Sequence, residues 1–235
     1  MNVKVFHLVK RYGQHFALHV PELRIARGEA LGLVGNNGAG KTTFLRLALD
    51  LIRPDDGHVL VDGQNVAEET GWKAHVGSYL DESFLLDFLT PEEYFTFIGG
   101  IYEMEPTQIE AMLARYRAFL PEQALSRPQP FIRDLSMGNK KKVGLVAAML
   151  TEPQLLILDE PFANLDPGSQ IRLKNLLRDL RQEHNTTMLI SSHDLGHVTD
   201  FCERITLLDD GQIARDITTS DATLHELKHY FAATG

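Results

Sequence analysis

The sequence predicts an α/β domain built on an open sheet of buried strands. Apolar runs of strand length occur at Ala30–Val34, Leu155–Leu158 and Thr187–Ser191. Helical patterns follow the first two runs, and turn signals rich in Gly, Pro and Asp separate the segments. A glycine-rich stretch lies between the first run and its helix, which is where α/β proteins commonly bind phosphate groups. These observations together favour a nucleotide-binding α/β fold.

The other elements follow from periodicity and turn residues. Strand-like segments at 3–9 and 16–25 flank a turn at 11–14. From Pro91 onward the apolar spacing becomes helical, so we expect a helical insertion at roughly 85–150 within a single domain spanning 1–235. The remaining predicted elements are a helix to about Ile52, a strand at 58–61, helices at 107–120, 136–150 and 168–182, a strand pair around 210–211, and a last helix at 221–232.

Composition limits the classes of protein to which the chain can belong. The chain has 235 residues, enough for a sizeable core, and 43% of them are hydrophobic. A net charge of −9 argues against nucleic acid as the main partner. The single cysteine, Cys202, excludes an intramolecular disulfide and fits a reducing cytoplasm. No apolar run approaches the ~20 residues needed to span a bilayer, so a membrane function would require a second, spanning chain.

The glycine-rich stretch has the pattern G-x-x-x-x-G-K-[ST], in which glycines let the backbone wrap round phosphate oxygens. Successive N–H groups and the helix N-terminus would hold the negative charge. Lys41 would reach the β- and γ-phosphates of a nucleoside triphosphate, and the Thr42 hydroxyl would bind Mg²⁺. The nucleotide-binding residues predicted in this loop are Gly35, Asn36, Asn37, Gly38, Ala39, Gly40, Lys41, Thr42 and Thr43.

Polar side chains follow the two later buried strands. Asp159 and Glu160 come directly after one strand, and His193 follows the other. Buried strands deliver such side chains to the carboxyl edge of an open α/β sheet, where ligands bind. We expect Asp159 to hold Mg²⁺, Glu160 to polarise the attacking water, and His193 to donate a hydrogen bond to a γ-phosphate oxygen.

A second glycine-containing segment, Leu135–Asn139, precedes three lysines at 140–142 that open a helix. Serine and glycine at a helix N-terminus can bind an anion. Taken alone, the segment predicts only a helix cap followed by a solvated basic turn.

In their order along the chain, these segments resemble the ATP-binding cassette (ABC) family over essentially all 235 residues. The resemblance implies a P-loop NTPase fold with an ATPase core, an antiparallel β subdomain and an inserted helical subdomain. It implies that the nucleotide is ATP and that Tyr12 stacks on its adenine. It further implies that Ser136 and Gly138 contact the γ-phosphate bound to an opposite subunit, and that 164–166 join the two active sites.

Two segments depart from the family pattern. Met137 and Asn139 stand where the family usually has Gly and Gln, although the contacting Ser and Gly remain. In the loop after Val76, Asp81 stands where a glutamine normally binds Mg²⁺ and senses the membrane partner. A carboxylate can still bind Mg²⁺, but it is shorter and adds negative charge near the γ-phosphate. Glu82 could fill the role if the register slips by one, so both residues are candidates.

The C-terminal region contains H-E-x-x-H at His225–His229, a pattern that binds zinc when it lies on a helix. Helical spacing places both histidines on one face. Only six residues follow, so a third ligand from downstream is not expected. An ordinary terminal helix is therefore the prediction, with zinc binding as the alternative.

The resemblance implies the ATP-hydrolysing subunit of an ABC transporter. One partner would be a second copy of the cassette, with two ATP molecules at the interface. The other would be a separate integral membrane permease, and a helix of that permease would enter a groove partly lined by Phe84, Phe88 and Phe95. The chain would be cytoplasmic and bound peripherally to the membrane through that permease. The sequence after Val76 and the single-cassette length look more like the drug, bacteriocin and lipid exporters. The alternative is a soluble mechanical ATPase of the same family that acts on ribosomes or DNA.

Overall fold

Within residues 1–13 and 15–234, which the computed structural model describes, the chain folds around a ten-stranded mixed sheet. The strands are β1 (Val3–Tyr12), β2 (His15–Ile25), β3 (Ala30–Val34), β4 (Asp56–Val61), β5 (Gln64–Asn65), β6 (Val76–Tyr79), β7 (Leu155–Leu158), β8 (Thr187–Ser192), β9 (Arg204–Asp209) and β10 (Gln212–Thr218). Their order across the sheet is β5-β4-β1-β2-β10-β9-β3-β8-β7-β6.

The sheet has a parallel part and an antiparallel part. Strands β9, β3, β8, β7 and β6 pair parallel with one another, whereas β1, β2, β4 and β5 pair antiparallel with one another. Strand β10 pairs antiparallel with β9 and touches β2 through Gln212 and His19. All carboxyl ends of the parallel strands therefore meet at one edge, as the predicted α/β fold requires.

The helices cover both faces of the sheet and have clear start signals. Thr90 and Glu93 form a capping box before α2, and Asp166 accepts a hydrogen bond from the amide of Ser169 at the start of α5. The helices are α1 (Lys41–Ala48), α2 (Pro91–Ile101), α3 (Pro106–Tyr116), α4 (Met137–Met149), α5 (Pro167–His184), α6 (Leu195–Thr199) and α7 (Thr223–Thr234). In this described part of the chain, no helix is both long and apolar enough to cross a bilayer.

Hydrophobic side chains are buried on both faces of the parallel strands. In β7, Leu155 and Ile157 belong to a cluster with α1 and the antiparallel strands. Leu156 and Leu158 face the opposite cluster, which includes residues of α2 to α5. Alternate side chains of a strand point to opposite faces, so a strand covered on both sides is apolar throughout. This arrangement explains why the three central strands were recognisable from the sequence.

Some element boundaries differ from the predictions. Helix α1 ends at Ala48, short of Ile52, because Asp50 takes a left-handed conformation with φ of 55°. Strand β1 continues to Tyr12, so the predicted turn begins later, and Gln14 lies outside the described residues. The division into one domain with a helical subdomain at roughly 85–150 stays a prediction, although α2, α3 and α4 do lie between β6 and β7.

Strand β6 was not predicted, because Gly77 and Ser78 interrupt its apolar pattern. A Cβ on Gly77 would come 1.9 Å from the carbonyl oxygen of Ala148 in α4. Glycine is therefore required where this helix packs directly against the strand. The close contact packs the C-terminal end of α4 directly against β6.

Candidate active site

The topology brings three predicted segments to one edge of the sheet. Strand β8 lies between β3 and β7, and all three are parallel. The glycine-rich loop follows β3, Asp159 and Glu160 follow β7, and His193 follows β8. Residues far apart in sequence thus become neighbours because the strands that carry them are adjacent.

The glycine-rich loop depends on two close backbone contacts. A Cβ on Gly35 would lie 2.4 Å from the carbonyl oxygen of Leu208, and one on Gly40 would lie 2.8 Å from that of Ala17. Gly40 also has a φ of 102°, in the left-handed region that glycine favours. Gly40 provides no side-chain cap for α1, so the first amides of this helix are left for another acceptor. A helix N-terminus with unpaired amides is an anion site.

Lys41 holds the loop from inside. Its side chain is 7% exposed, and Nζ donates hydrogen bonds to the carbonyl oxygens of Gly35 at 2.7 Å and Asn36 at 3.2 Å. The same ammonium lies 3.6 Å from Oε1 of Glu160. A buried lysine is tolerated because it is paired with a carboxylate and with carbonyl dipoles. The loop therefore presents one fixed positive charge beside the helix N-terminus.

Asp159 and Thr42 form the oxygen-rich part of the site. The Thr42 hydroxyl donates to Oδ2 of Asp159 at 2.6 Å, and the Ser191 hydroxyl donates to Oδ1. Hydroxyl and carboxylate oxygens are the ligands that Mg²⁺ prefers, and it usually takes only one or two of them from protein in phosphate sites. The described residues contain no cluster of three or more His, Cys, Asp or Glu side chains placed to hold a metal. Thr42 and Asp159 therefore fit a magnesium ion that is shared with phosphate.

Glu160 lies between two potential cations. Its φ of 47° is left-handed, and its amide donates to the hydroxyl of Ser191 at 2.9 Å. Oε2 lies 2.9 Å from Nδ1 of His193, while Oε1 faces Lys41. A non-glycine residue in this conformation is held there by its surroundings. The structure thus brings Lys41, Glu160 and His193 together at the carboxyl edge of the sheet.

A cavity of about 340 Å³ opens beside this group. Tyr12 lines it from the antiparallel part of the sheet and is 53% exposed. An exposed aromatic ring beside an anion site can stack on a nucleotide base. The other lining residues are Ala17, Asn37, Gly38, Ala39, Gly40, Lys41, Thr42, Thr43, Asp159 and Glu160.

Ser136 and Gly138 lie elsewhere and do not line that cavity. Ser136 caps α4 by accepting from the amide of Asn139 at 3.4 Å. A Cβ on Gly138 would lie 2.8 Å from the carbonyl oxygen of Asn164, so the segment is joined to the loop at 164–166. Hydrogen bonds from Ser169 lower the pKa of Asp166 to about 2 and keep this carboxylate ionised.

Asp81 and Glu82 are also outside the cavity. Asp81 accepts hydrogen bonds from the amide of Ser83 at 2.7 Å and from its hydroxyl, which caps a short 3₁₀ turn. Glu82 points toward α4, where its Oε1 lies 4.0 Å from Nζ of Lys141. Both hydrogen bonds to Asp81 are accepted by Oδ1, and its magnesium role stays a prediction.

A second cavity of about 370 Å³ separates the sheet edge from α2 and α4, and we call it the groove. Phe84 lines it and is half exposed, and Asp81 lies on the same wall. Phe88 is exposed nearby in sequence but does not line the groove. The prediction for Phe95 is wrong, because this ring is buried in the hydrophobic cluster of the helices.

Sequence reasoning missed two residues of the site. Ser191 was treated as the end of a buried strand, although its hydroxyl bonds both Asp159 and the amide of Glu160. Lys141 was assigned to a solvated basic turn, but it is 5% exposed and donates to the carbonyl oxygen of Glu160 at 3.0 Å. A serine ending an otherwise apolar strand could have been noticed. The burial of one lysine among three could not.

The H-E-x-x-H segment lies on α7, as the sequence predicts for a terminal helix. The Nε2 atoms of His225 and His229 are 3.1 Å apart, and both side chains are exposed. Leu227 is buried against the helical clusters, and Tyr230 donates to Asp209 at 2.9 Å. These contacts anchor the helix to the sheet, so its apolar face has a structural role.

Comparison with known proteins gives consistent relatives. A family model described as ABC transporter matches residues 18–163. The chain is 32% identical to the sulfate/thiosulfate import ATP-binding protein CysA of Bradyrhizobium diazoefficiens, over 95% of this chain and 67% of that protein. It is 30% identical to the bacitracin transport ATP-binding protein BcrA of Enterococcus faecalis, over 93% of this chain and 70% of that protein. It is also 30% identical to a probable CysA of Chlorella vulgaris, over 91% and 89%.

Solved structures agree with these relatives. The ATP-binding subunit of an ABC transporter superimposes with a TM-score of 0.84 at 26% identity, covering 100% of this chain and 95% of that one. A bacterial ABC transporter cassette solved as a dimer gives a TM-score of 0.82 at 23% identity, covering 93% and 99%. At 23% identity, the match to the dimeric cassette shows a shared fold.

Proposed function

The chain belongs to the ABC transporter family as an ATP-binding ATPase cassette, and we propose that it hydrolyses ATP to power transport through a separate membrane permease. The observation that carries this proposal is the convergence of Lys41, Asp159, Glu160 and His193 beside a cavity that also contains Tyr12. This cavity of about 340 Å³, called the ATP cavity below, supplies an aromatic face for a base and an anion site for phosphates. Both are needed to bind ATP.

The residues divide the chemistry among them. Lys41 and the amides that begin α1 bind the β- and γ-phosphates, and Tyr12 stacks on adenine. Thr42 and Asp159 would hold Mg²⁺, which would neutralise charge on the phosphates. Glu160 orients and polarises the attacking water, and His193 both positions Glu160 and donates toward the γ-phosphate. Proximity and electrostatics, with little covalent chemistry, suffice for phosphoryl transfer.

The catalytic assembly is a head-to-tail pair of cassettes. Ser136 and Gly138 lie outside their own chain's ATP cavity, so a γ-phosphate contact by these residues requires a second copy. Two-fold symmetry would place one ATP molecule between each glycine-rich loop and residues 135–139 of the opposite copy, so that two ATP molecules are buried in all. A similarly folded bacterial cassette has been solved as a dimer.

The groove supports docking of the permease. It combines exposed apolar surface from Phe84 and Leu51 with backbone from β6. The carboxyl end of β6 lies at the same edge of the sheet as Asp159 and Glu160. An amphipathic helix of a partner can insert apolar side chains into such a groove. The cassette would then lie at the cytoplasmic face of the membrane without spanning it.

Export is the proposed direction of transport. The relatives named above include proteins of sulfate or thiosulfate import and of bacitracin transport. The resemblance of the segment after Val76 to drug, bacteriocin and lipid exporters favours the second group. A soluble ATPase that acts on ribosomes or DNA is the competing function.

Cell fractionation separates the two functions. In lysates of the native cells, we expect the chain to sediment with membranes after a high-salt wash and to leave them only with detergent. Phe84→Asp should move most of the chain to the soluble fraction, because a charge in the apolar groove opposes docking. Ile171→Asp, at an equally exposed site on α5, is the matched control and should stay with membranes. Wild-type chain recovered with ribosomes or DNA would contradict the transport function.

The magnesium role of Asp81 has its own test. A carboxylate near the γ-phosphate repels it before Mg²⁺ binds and ligates the metal afterwards, each by roughly a few kcal/mol at an effective dielectric of about 20. Asp81→Gln should therefore raise ATP affinity at low Mg²⁺ and change turnover at saturating Mg²⁺ much less. ATP affinity is measured across a Mg²⁺ titration for both proteins. Superimposable curves would restrict Asp81 to its observed role as a cap for Ser83.

A further inference from the structure

Lys141 is a buried cation that the reaction described above does not use. It lies in the second turn of α4, next to Lys140 and Lys142, and is nevertheless 5% exposed. Lysine is almost never buried to this extent unless it is paired. Burial lowers the pKa of its ammonium, and the surrounding carboxylates of Glu82, Glu160 and Asp159 raise it. Burial is the larger effect, so the pKa of Lys141 is lowered, and the carboxylates offset only part of the cost of burying this charge.

The ammonium of Lys141 is the meeting point of three segments. Nζ donates to the main-chain carbonyl oxygen of Glu160 at 3.0 Å, after β7. It lies 4.0 Å from Oε1 of Glu82, in the turn after β6, and 5.8 Å from the ring centre of Tyr79 at the end of β6. Helix α4, which carries the lysine, begins at the Ser136 cap. The ammonium of Lys141 therefore contacts both the segment after β6 and the main chain of Glu160 from its position on α4.

The contact with Glu160 matters because of that residue's backbone. Glu160 has a left-handed φ of 47°, which is unfavourable for a residue with a Cβ. Its amide is held by the Ser191 hydroxyl at 2.9 Å, and its carbonyl is held by Lys141. Both hydrogen bonds restrain the backbone from which the carboxylate reaches Lys41 and His193. Loss of one restraint would let the carboxylate move away from the position needed to polarise water.

Glu82 faces the same ammonium, and its Oε1 is buried. Burial and the neighbouring Glu82 carboxylate raise the pKa of the Tyr79 hydroxyl, so this phenol is a second neighbour of Glu82. Glu82 follows Asp81, which lines the groove, so a displacement of that wall would move Glu82 relative to Lys141. An ion pair can strengthen substantially when a separation of 4.0 Å shortens in a buried site. Glu82 and the Glu160 carbonyl are therefore two partners of one ammonium, which has three donors and can hold both.

We propose that Lys141 is a positioning residue that holds the main chain of Glu160, with Glu82 as the partner that balances its buried charge. The inference rests on the proposed function, because it assumes that Glu160 acts on the attacking water. Lys141 itself does not line the ATP cavity. Its loss should therefore lower kcat and leave ATP affinity nearly unchanged.

The test compares two neutral pairs of substitutions, because Lys141→Met alone would leave Glu82 as a buried unpaired carboxylate and could prevent folding. Lys141→Met with Glu82→Gln removes the charge pair and the donor to Glu160. Lys141→Gln with Glu82→Gln removes the charges but keeps an amide donor. We expect the Met pair to lower kcat about tenfold or more, as for a lost hydrogen bond to a charged group, with KM for ATP within about twofold. The Gln pair should recover most of the rate.

Hydrogen exchange gives a readout that does not depend on turnover. The amide of Ala163 donates to the Glu160 carbonyl at 3.2 Å, and the amide of Glu160 donates to Ser191. In the Met pair both amides should exchange several-fold faster, and in the Gln pair they should not. Arg181→Met is the matched control, because Arg181 is a partly covered helical cation that donates to the carbonyl oxygen of Gly28 at 2.8 Å and pairs with Glu203 at 2.5 Å, in the last turn of α5.

The outcomes separate this inference from the proposed function. Met and Gln pairs with equal kcat and equal exchange at Glu160 and Ala163 would overturn the positioning role, even if Glu160→Gln stops turnover. A wild-type chain that binds ATP without hydrolysing it would refute the proposed function. In that case faster exchange in the Met pair alone would still establish that Lys141 holds Glu160. A parallel loss in Arg181→Met would show a general effect of removing a helical cation and would also overturn the inference.

Discussion

Replacing Glu160 with glutamine is expected to stop ATP turnover while leaving ATP binding intact. Glutamine has nearly the same size and can still accept from His193, but it cannot serve as a base or polarise water as a carboxylate does. General-base catalysis contributes roughly 10² to 10⁴ in rate, so phosphate release should fall by at least the lower value. Lys41 and the loop amides are unchanged, and removing the negative charge 3.6 Å from Lys41 does not weaken its attraction for phosphate.

The same variant should accumulate as a dimer when ATP is present. The γ-phosphate stays in place if it is not cleaved, so the contacts that it would make with Ser136 and Gly138 of a second copy persist. Sedimentation at saturating ATP and Mg²⁺ should show twice the 26.4 kDa mass of the chain, and nucleotide-free protein should be monomeric. Glu122→Gln, a substitution in an exposed turn of the helical region, is the matched control and should hydrolyse ATP normally.

Two results would contradict this prediction in different ways. Unchanged steady-state phosphate release in Glu160→Gln would remove Glu160 from catalysis. A monomeric mass at saturating ATP, also with the permease present, would refute the two-cassette assembly but leave the assignment of Glu160 standing.

Replacing Lys41 with alanine is expected to abolish ATP binding itself. The substitution removes the only lysine that lines the ATP cavity, within the described residues. It also removes the two hydrogen bonds that hold the carbonyls of Gly35 and Asn36. Hydrogen bonds to charged groups contribute roughly 1.5–3 kcal/mol each, so the loss of contacts to two phosphates corresponds to about a hundredfold or more in affinity.

Nucleotide titration by fluorescence or calorimetry measures this loss. Lys4→Ala, on the exposed side of β1, is the matched control and should bind ATP like the wild type. Thermal unfolding must accompany the titration, because Glu160 is left without the Lys41 partner. An affinity for ATP within about threefold of wild type in a folded Lys41→Ala protein would exclude Lys41 as a phosphate ligand.

The contrast between the two variants tests the division of labour in the site. Lys41→Ala should fail at binding, whereas Glu160→Gln should fail only after binding. A single structural defect at the carboxyl edge would damage both steps equally. The expected separation therefore depends on Lys41 and Glu160 having different partners in the reaction, although the two side chains are in contact.

The location of the site was predictable because its parts follow local rules. Gly40 must be glycine to adopt its φ of 102°, and Asp159 and Glu160 follow an apolar strand that can only be buried on both faces. Backbone geometry and strand periodicity act over a few residues, so they are visible in the sequence. The predicted fold class is confirmed for the same reason.

The contacts of individual side chains were less predictable. Phe84 and Phe95 both occur in a stretch of similar composition, yet one lines the groove and the other is buried in the core. The three consecutive lysines at 140–142 look equivalent, yet only Lys141 points toward the Glu160 carbonyl. Helical rotation sets their directions, but what each direction meets depends on segments far away in the chain.

By itself, the sequence determined the strand–loop–helix with its glycine-rich turn, the acidic and histidine residues at the carboxyl edge, and the membership of a family whose motifs occur in this order. The tertiary structure alone decided that Ser191 joins Asp159 to Glu160, that Asp81 caps its own turn, and that Lys141 is buried between Glu82 and Glu160. The physical reason is the range of the interactions. Backbone conformation and amphipathic periodicity are set by neighbours in sequence, whereas burial and charge pairing are set by neighbours in space.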